Sequence, residues 1–529
     1  MNSDSIFDTI SPTDFGLPPK FTAYRGPQRE ALEWLNACEA PISAALLPTG
    51  IGKTLLAVSL AKLLGVKAVY LVATKALQSQ VLSDFRSISM VDVRGRANYE
   101  CENYDDCERG YDAECSLHNS SGCPYSVAVE AARRAPLTVT NYAYWLNARR
   151  YNSSALEFAD PVQLLICDEA HALESQLTGF AAVRVKQREI GRVHHWADQS
   201  GVLTEENPQT AVWTNWANDR LAKCKQTKDT IKKLQPNNFS KDDRWKDADD
   251  LEDRCKRILR MSANWVWQFD ERGNCAFEPI RLNGFCSALF SGVPRVLLMS
   301  ASLNDFTLRL LMGRDDVYDY RAWGQVFPPQ NAPVYLIPTR KLSWKSTDED
   351  YQAIIEAADA IIDNRLDRNG IIHTVSYART RRALQYSRYA NRFIWNETGK
   401  DLTGCLAKFR NGDVGNILVT PSVEEGFDFP ESECEYQIVL KFPFPNETNR
   451  VIKERCAQIT GYRLQYAAQK IIQMRGRPVR SYTDRAEMFI LDSAAAQLNG
   501  PEGRSYLPPG FRMFTLKEVP KAPPRIGTT

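Results

Sequence analysis

The sequence predicts an α/β protein in which two parallel-sheet domains carry two insertions. Short apolar runs alternate with helical patterns, as where Ala68 to Thr74 follows the helix-like Thr54 to Leu64. Continuous apolar runs of this length are typical of buried parallel strands covered by helices on both faces. The runs form two groups, one before residue 300 and one after residue 370, so we expect two sheet domains.

Each group supplies the strands of one domain. The predicted strands of the first domain are Ile42 to Leu47, Ala68 to Thr74, Gln163 to Cys167 and Arg295 to Met299, and those of the second are Gly370 to Val375, Asn416 to Thr420, Tyr436 to Lys441 and Glu487 to Asp492.

Composition then places the domain boundaries. Residues 95–135 are polar and rich in turns, and residues 181–285 are rich in Trp and mixed charge, so the latter are predicted to be mostly helical. The first domain is then expected to comprise residues 1–94, 136–180 and 286–335, and the second residues 336–500. Residues 501–529, rich in proline, are predicted to be a loosely ordered tail.

Overall composition narrows the class of protein. The 529 residues suffice for about three or four domains, and 43% hydrophobic and 25% charged residues are ordinary for a globular chain. The net charge is only +2, so a nucleic-acid partner requires basic charge concentrated in a groove. No apolar run approaches a membrane span, and no secretory signal is visible. We expect a cytoplasmic protein without a membrane partner, in a prokaryotic cell or a virus-infected host.

Four of the thirteen cysteines cluster in the first insertion, at Cys101, Cys107, Cys115 and Cys123. In a reducing compartment such a cluster indicates metal or redox chemistry, whereas the nine scattered cysteines are expected to be small buried hydrophobes. The spacing C-x5-C-x7-C-x7-C lacks the close pair of structural zinc sites and matches no common ferredoxin spacing. Spacing alone therefore leaves the metal open.

A phosphate-binding loop is the strongest local signal. It joins an apolar run to a helix and consists of Thr49, Gly50, Ile51, Gly52, Lys53 and Thr54. The glycines allow backbone N–H groups to face an anion, and the helix N-terminus adds its positive dipole. Lys53 is expected to reach the β- and γ-phosphates and the Thr54 hydroxyl to ligate magnesium. The strict pattern has Gly where this chain has Leu47, and the alternative is an ordinary glycine turn before a helix.

Two further groups complete the predicted catalytic set. Asp168 follows a predicted strand and is expected to hold magnesium, and Glu169 is placed to activate water. His171 is expected to be structural. The second domain contributes QMRGRPVR, whose arginines could stabilise charge on the transferring phosphoryl group. The candidate catalytic residues in that segment are Gln473, Arg477 and Arg480, together with Gly476.

These segments, in this order, resemble the superfamily 2 helicases of the XPD/DinG type, which carry an iron–sulfur domain. The segments that carry the resemblance are TAYRGPQ with Arg25 and Gln28, TGIGKT, ATKALQSQ (Ala73 to Gln80), DEAH, MSASL (Met299 to Leu303), GIIHTVSY, TPSVEEGFDFP (Thr420 to Pro430) with Gly426 and Asp428, and QMRGRPVR.

The resemblance implies an ATP-dependent DNA helicase that moves 5′ to 3′ on single-stranded DNA and opens forked duplexes as a monomer. It implies two RecA-like domains that bind ATP and Mg²⁺ between them, with Arg25 and Gln28 near the adenine and Gly426 and Asp428 also at the nucleotide. It further implies a [4Fe–4S] cluster on the four clustered cysteines and identifies residues 181–285 as a helical arch.

Two residues depart from the family's pattern. Ser302 stands where Thr is usual but keeps the hydroxyl, so its role is expected to survive. Arg475 stands where a small or apolar residue is usual and is expected to contact nucleic acid or an acidic neighbour. Tyr99, Tyr125 and the Trp residues of the arch are candidates for base stacking.

Two other functions stay open at this point. One is a translocase that moves on single strands without separating duplexes. The other is an iron–sulfur sensing protein with a degenerate ATPase core, which the intact Lys53, Asp168 and Glu169 disfavour.

Overall fold

A computed structural model describes residues 9–112, 115–117, 120–150, 161–191, 200–239, 242–314, 317–396, 402–421 and 428–524. The strands are β1 Ile42–Leu46, β2 Ala68–Val72, β3 Met90–Asp92, β4 Leu137–Asn141, β5 Leu164–Asp168, β6 Val183–Val185, β7 Ser200–Val202, β8 Trp265–Phe269, β9 Cys275–Pro279, β10 Arg295–Ser300, β11 Tyr318–Ala322, β12 Val334–Arg340, β13 Gly370–His373, β14 Phe393–Trp395, β15 Ile417–Thr420, β16 Tyr436–Val439, β17 Glu487–Asp492 and β18 Met513–Thr515.

The α-helices are α1 Gly26–Ala37, α2 Lys53–Leu64, α3 Lys75–Asp84, α4 Cys107–Asp112, α5 Pro124–Arg134, α6 Tyr142–Arg150, α7 Leu173–Ala181, α8 Gln187–Ile190, α9 Pro208–Leu234, α10 Asp243–Ile258, α11 Cys286–Phe290, α12 Asp305–Met312, α13 Asp348–Asp363, α14 Tyr377–Tyr386, α15 Leu402–Arg410, α16 Arg450–Gln458, α17 Tyr462–Arg475 and α18 Pro501–Ser505. No helix in these ranges combines the length and the apolar character needed to cross a membrane.

Two parallel sheets form the body of the molecule, as predicted. Within the described residues, the first sheet has the strand order β11-β1-β10-β5-β2-β4-β3 and the second the order β14-β15-β13-β16-β17-β12-β18. All ladders in both sheets are parallel. Every apolar run predicted as a strand is one, because strands covered on both faces bury nearly all their side chains.

Helices cover both faces of each sheet. On the first sheet, α1 and α2 pack on one face and α6, α7, α11 and α12 on the other. On the second sheet, α17 packs on one face and α13 on the other. Some of the strands that the sequence did not reveal are short and partly buried, such as β3 and β14, so their apolar signal is weak. Strand β4 is buried but has the sequence Leu-Thr-Val-Thr-Asn, in which polar residues interrupt the apolar run.

The arch differs from the predicted mostly helical insertion. Its long helices α9 and α10 pack on a four-stranded antiparallel sheet of order β6-β9-β8-β7. The strand β8 has the sequence Trp-Val-Trp-Gln-Phe, which is rich in the aromatic and β-branched residues that favour strands. The abundant charged residues of the two helices dominated the sequence pattern and masked this sheet.

The predicted loose tail is also wrong over most of its described length. Strand β18 pairs in parallel with β12, and the Leu516 N–H donates to the Leu336 carbonyl at 2.9 Å. The buried Arg365 donates from Nη2 to the Pro520 carbonyl at 3.2 Å. The second domain therefore continues past residue 500. Strand β18 pairs with the backbone N–H and C=O groups on the edge of β12 that β17 leaves open.

Candidate nucleotide-binding site and cysteine pocket

The loop between β1 and α2 has the geometry of a phosphate-binding loop. Gly50 and Gly52 adopt φ angles of +78° and +88°, which side chains disfavour. Gly52 caps α2, whose first residue is Lys53. Leu47, the departure from the strict pattern, is fully buried, and its N–H donates to the Ser300 carbonyl at 3.0 Å. Leu47 therefore extends the strand and leaves the turn itself intact.

Arg25 and Gln28 hold this loop from the side of α1. Arg25 Nη1 donates to the Gly50 carbonyl at 2.9 Å, and Gln28 Nε2 donates to the Ile51 carbonyl at 2.5 Å. The Gln28 Oε1 atom accepts from the Arg25 N–H at 2.7 Å. These bonds occupy the carbonyl oxygens of the loop, which would otherwise repel a phosphate. Both predicted residues thus lie at the loop, and their contact with adenine stays a prediction.

The acidic pair lies at the carboxyl end of β5, beside the loop. Lys53 Nζ is 3.3 Å from Glu169 Oε1. The Tyr70 hydroxyl donates to Asp168 Oδ2 at 2.8 Å and also interacts with Thr54. The fold therefore brings the two predicted magnesium ligands and the predicted catalytic carboxylate together at one edge of the sheet.

The two carboxyl groups have opposite electrostatic environments. Burial, and then the neighbouring Glu169 carboxylate, raise the pKa of Asp168 to about 6. Burial alone would raise the pKa of Glu169, but Lys53 and His171 outweigh it and hold this pKa below the usual value. Glu169 is therefore ionised at neutral pH, and Asp168 becomes protonated as the pH falls through about 6.

Glu169 is held by partners that sequence reasoning did not identify. His171 Nδ1 lies 2.8 Å from Ser300 Oγ and 3.1 Å from Glu169 Oε2. Glu169 also has a φ of +48°, a backbone conformation that non-glycine residues rarely adopt and that occurs at functional sites. The sequence also did not identify Tyr70 as a partner of Asp168. Both Tyr70 and Ser300 are polar residues within otherwise apolar runs, and this pattern could have indicated that they lie at the site.

Helix α17 brings the second domain against this loop. A Cβ atom added at Gly476 would lie 2.5 Å from Thr49 Cγ2 and would collide with the Thr49 side chain. Gln473 Nε2 donates to Ser302 Oγ at 3.4 Å, and the role of this hydroxyl in the reaction stays a prediction. The predicted residues Gln473 and Gly476 therefore face the first domain across a cleft.

The two arginines of this segment occupy different surroundings. Arg477 is buried, and its carbonyl accepts from the Phe429 N–H at 3.3 Å. Arg480 forms an ion pair with Asp428, and its N–H donates to Asp484 Oδ2 at 2.7 Å. Asp428 thus contacts a predicted catalytic arginine, and Gly426 lies outside the described residues.

The structure gives Arg475 no acidic partner among the described residues, and its predicted contact with nucleic acid stays a prediction. Its Nε donates to the Ala332 carbonyl and its Nη2 to Gln325 Oε1, both at 2.9 Å, and its guanidinium lies 5.2 Å from the Phe511 ring. Among the described residues neither contact is with an acidic group. Arg475 instead binds the connection between the two sheets, residues 323–333, and its burial lowers its pKa to about 10.

The four clustered cysteines line one small pocket together with Glu100, Gly110, Tyr111, Leu117, Gly122 and Pro124. The Sγ atoms form two pairs, with Cys101 and Cys115 3.9 Å apart and Cys107 and Cys123 3.8 Å apart. Two thiolates of a tetrahedral zinc, with Zn–S bonds of about 2.3 Å, would lie about 3.8 Å apart. Sets of three or more ligands for a single ion are absent from the described ranges. The distance within each cysteine pair fits two thiolates on one metal centre, and these Sγ–Sγ distances do not identify the metal.

Four of the aromatic residues expected to stack on bases, Tyr125, Trp213, Trp216 and Trp267, are instead packed inside the protein. Tyr99, Trp245 and Trp265 are half-buried, and Trp196 lies outside the described residues, so their stacking stays a prediction. Tyr125 is 5% exposed and lies edge-on to Tyr99, with ring centroids 5.6 Å apart. The arch residues Trp213, Trp216 and Trp267 are buried in the core between α9 and the antiparallel sheet. The four buried side chains stabilise their domains and are closed to a ligand.

Two family profiles match the chain, one in each sheet domain. The helicase C-terminal domain family matches residues 364–508, and the family described as type III restriction enzyme, res subunit, matches residues 24–194. None of the curated proteins gives a significant match.

The fold is similar to solved structures over nearly its whole length. The structure titled "XPD_Helicase" is 14% identical with a TM-score of 0.61, covering 93% of this chain and 99% of the other. "Structure of S. tokodaii Xpd4" is also 14% identical, with a TM-score of 0.60 and coverage of 93% and 100%. "XPD_APO" is 14% identical, with a TM-score of 0.56 and the same coverage.

The profiles indicate a helicase C-terminal domain in the second of the two paired parallel-sheet domains. Over 93% of the chain the fold is similar to that of the XPD structures.

Proposed function

We propose that the protein is an ATP-dependent DNA helicase that moves 5′ to 3′ along single-stranded DNA and separates duplexes. The observation that carries the proposal is the cleft between the domains. Lys53, Asp168 and Glu169 lie on one side, and Gly476 of the second domain lies against Thr49 of the phosphate loop. The DNA substrate, the polarity and strand separation are supported by the sequence resemblance.

In this mechanism Lys53 exchanges partners during the cycle. It now pairs with Glu169, and a bound triphosphate would draw its ammonium group to the β- and γ-phosphates. Because Lys53 is the main group that lowers the pKa of Glu169, this exchange raises the basicity of the carboxylate. Glu169 then accepts a proton from the attacking water, with His171 and Ser300 fixing its orientation.

Magnesium would be held by Thr54 and Asp168 and would neutralise charge on the phosphates. Tyr70 interacts with both residues and keeps them at the same edge of the sheet. An ionised Asp168 is required for this role.

The second domain senses the nucleotide through two contacts. Arg480 would leave Asp428 for the γ-phosphate, which is the exchange that an arginine finger makes. Gln473 bonds to Ser302, whose N–H donates to Ser300 Oγ at 3.2 Å, next to Glu169. Opening and closing of the cleft would break and remake this chain of hydrogen bonds and move the DNA strand.

The cysteine pocket would hold a [4Fe–4S] cluster on Cys101, Cys107, Cys115 and Cys123. Such a cluster, when bound, fixes a small domain that has little apolar core of its own. Buried Cys107 and Cys123 lie in a cluster with Val93, Tyr125 and Val129, so the pocket is joined to the first sheet.

Strand displacement on tailed duplexes tests the proposal. The wild type is expected to unwind a duplex with a 5′ tail, and not one with a 3′ tail, only when ATP and Mg²⁺ are present. Lys53→Ala is expected to lose ATP hydrolysis by about 100-fold or more, because the charge on the phosphates is no longer compensated. Lys62→Ala, in the last turn of the same helix, is the matched control and should behave as the wild type.

Each result has a definite meaning. DNA-stimulated hydrolysis without unwinding of either substrate would indicate that the protein is a translocase and not a helicase. Unwinding of the 3′-tailed duplex alone would reverse the polarity. Normal turnover by Lys53→Ala would refute the assignment of the ATP site.

Replacement of Cys123 tests the metal. Cys123→Ser is expected to lose visible absorbance and bound iron and to weaken unwinding far more than DNA-independent hydrolysis. Cys456→Ser, a partly buried cysteine of α16 outside the pocket, is the control and should keep the iron. Wild-type protein that carries zinc instead of iron, or that unwinds DNA without iron, would overturn the cluster assignment.

A further inference from the structure

The most exposed large hydrophobic side chain among the described residues belongs to Trp344, which is 88% accessible to solvent. It lies in the loop between β12 and α13, residues 341–347. An isolated Trp in open solvent forgoes the free energy that burial of a large aromatic side chain provides. Among the described residues, the contact of its ring is with the adjacent Lys345.

The loop that carries Trp344 is fixed without the help of the indole ring. Leu342 is 2% exposed and anchors the loop in the core of the second domain. The Ser343 N–H donates to Ser346 Oγ at 2.9 Å, and the Lys345 N–H donates to Ser343 Oγ at 3.1 Å. Lys441, which follows β16, donates to the Leu342 carbonyl. The backbone is therefore preorganised and presents Trp344 outward.

This loop lies at the edge of the second sheet where a strand of nucleic acid is expected. The carboxyl ends of the parallel strands β12, β13 and β16 meet at one edge. The segment after β13 contains Tyr377, which is 40% exposed. Tyr377 belongs to GIIHTVSY, one of the segments that carry the helicase resemblance, which implies that this segment grips the DNA strand. Trp344 and Tyr377 therefore follow strand ends of the same edge, with β16 and β17 between them.

Basic groups lie beside the ring and in the neighbouring part of this edge. Lys345 Nζ lies 5.0 Å from the centroid of Trp344, and Lys341 is exposed. Burial, and then Arg379 and Arg463, lower the pKa of Lys441, which places both guanidinium groups in its vicinity. The excess of positive charge complements a phosphate backbone.

Two of the three acidic residues at the start of α13, Asp348 and Asp350, are paired with arginines, and the third, the exposed Glu349, is hydrogen-bonded with Thr347. Asp348 Oδ1 is 2.8 Å from Arg382 Nη1, and Asp350 Oδ1 is 3.7 Å from Arg340 Nε. Asp350 also accepts from the Thr347 N–H at 3.1 Å as part of the helix cap. The charge of Asp348 and Asp350 is thus directed to these partners and away from the face that presents Trp344.

We propose that Trp344 is a stacking platform for one base of the single strand, with Lys345 beside it for a phosphate. This inference rests on the proposed function and names a strand contact that lies outside the predicted aromatic residues. An aromatic face stacks on any base, so the contact is independent of sequence.

Binding to two oligonucleotides of equal length tests the inference, one of thymidine and one abasic. Wild-type protein is expected to bind the thymidine strand more tightly. Trp344→Ala should weaken binding to that strand about five-fold or more, since stacking on an aromatic side chain contributes about 1–3 kcal/mol per base, and should leave the abasic strand nearly unaffected. Trp344→Phe should retain most of the affinity. Phe514→Ala, an aromatic side chain 49% exposed on β18, is the matched control and should leave both affinities unchanged.

The outcomes separate this inference from the function on which it rests. If the wild type binds the thymidine strand and Trp344→Ala binds it equally well, the stacking platform is wrong and the proposed function stands; Trp344 would then be a contact for a protein. Equal loss of affinity for both strands would also overturn stacking, since a base would not be involved. If the wild type binds neither strand, both proposals fail.

Discussion

The nucleotide site depends on single polar atoms that are buried among apolar strands. Tyr70 lies in the middle of β2, and its hydroxyl donates directly to the carboxylate of Asp168. This bond lowers the pKa of Asp168, opposing burial, which raises it to about 6. Lys53, and then Tyr70, thus lower the pKa of this buried magnesium ligand and favour its ionised form.

Removing this hydroxyl should change the pH dependence of hydrolysis. In Tyr70→Phe the pKa of Asp168 rises, so a larger share of the carboxyl group is protonated at a given pH and cannot hold magnesium. The acidic limb of kcat/KM, which lies near pH 6 in the wild type at subsaturating Mg²⁺, is expected to move to higher pH. A pH–rate profile measures this shift, and added Mg²⁺ should move the limb back.

Tyr142→Phe is the matched control for that experiment. Its hydroxyl donates to the backbone carbonyl of Asp168 at 2.7 Å and not to the carboxylate. Each variant loses one tyrosine hydroxyl that bonds to Asp168: Tyr70→Phe loses the bond to the carboxylate, and Tyr142→Phe loses the bond to the backbone carbonyl. A profile that shifts equally in both would show that general destabilisation, and not the carboxylate bond, is the cause.

At the scale of elements, the important contact is that of the end of α17 with the phosphate loop. Gly476 has a φ of −77°, so its backbone suits any residue, and only the space beside Thr49 requires glycine. The close contact of the two domains at this point therefore requires that residue 476 has no Cβ atom.

Gly476→Ala should slow hydrolysis by keeping the cleft from closing. Overpacking of this kind costs about 1–3 kcal/mol, so we expect kcat to fall about ten-fold or more. Gly324→Ala, at a position where an added Cβ meets no atom within 4 Å, should have normal turnover. Steady-state hydrolysis measures both variants, and equal rates would show that this approach is not part of the active state.

At the scale of the whole molecule, one arginine joins three parts of the chain. Arg455 of α16 is 2% exposed. It donates to Glu174 Oε1 of α7 at 2.7 Å, to Thr178 Oγ1 at 2.8 Å, and to the Ile280 and Pro279 carbonyls at 2.8 and 2.9 Å. The second domain is therefore bonded to the first domain and to the base of the arch at one buried point.

Arg455→Ala should destabilise the assembled chain strongly. Removing Arg455 takes the cationic partner from Glu174, to which the Tyr462 hydroxyl still donates, and takes this donor from two carbonyls. Breaking a buried ion pair in this way typically costs about 3–5 kcal/mol. Urea unfolding should show an earlier first transition, since domains can unfold separately. The exposed pair of Arg463 and Glu447 provides the comparison, because Arg463→Ala should cost about 1 kcal/mol or less. Similar losses in the two variants would contradict the role of Arg455 as an interdomain clasp.

The sequence by itself determined the two parallel sheets and the residues of the phosphate loop. Strands such as β5 bury every side chain, so their apolar runs are visible without knowledge of their neighbours. Gly50, Gly52 and Lys53 are adjacent in the chain, and their local conformation is set by glycine chemistry and by the start of a helix.

Tertiary structure alone decided which distant residues meet. The partners of Asp168, Arg475 and Arg455 are separated from them by between 98 and 281 residues, and no local pattern encodes such pairings. The same holds for the antiparallel sheet of the arch and for β18, whose strands are stabilised by the neighbours against which they pack. Exposure is likewise a property of the fold: Trp213, Trp216 and Trp267 of the arch are buried and Trp344 is not, because only the folded chain determines which aromatic side chains find a core.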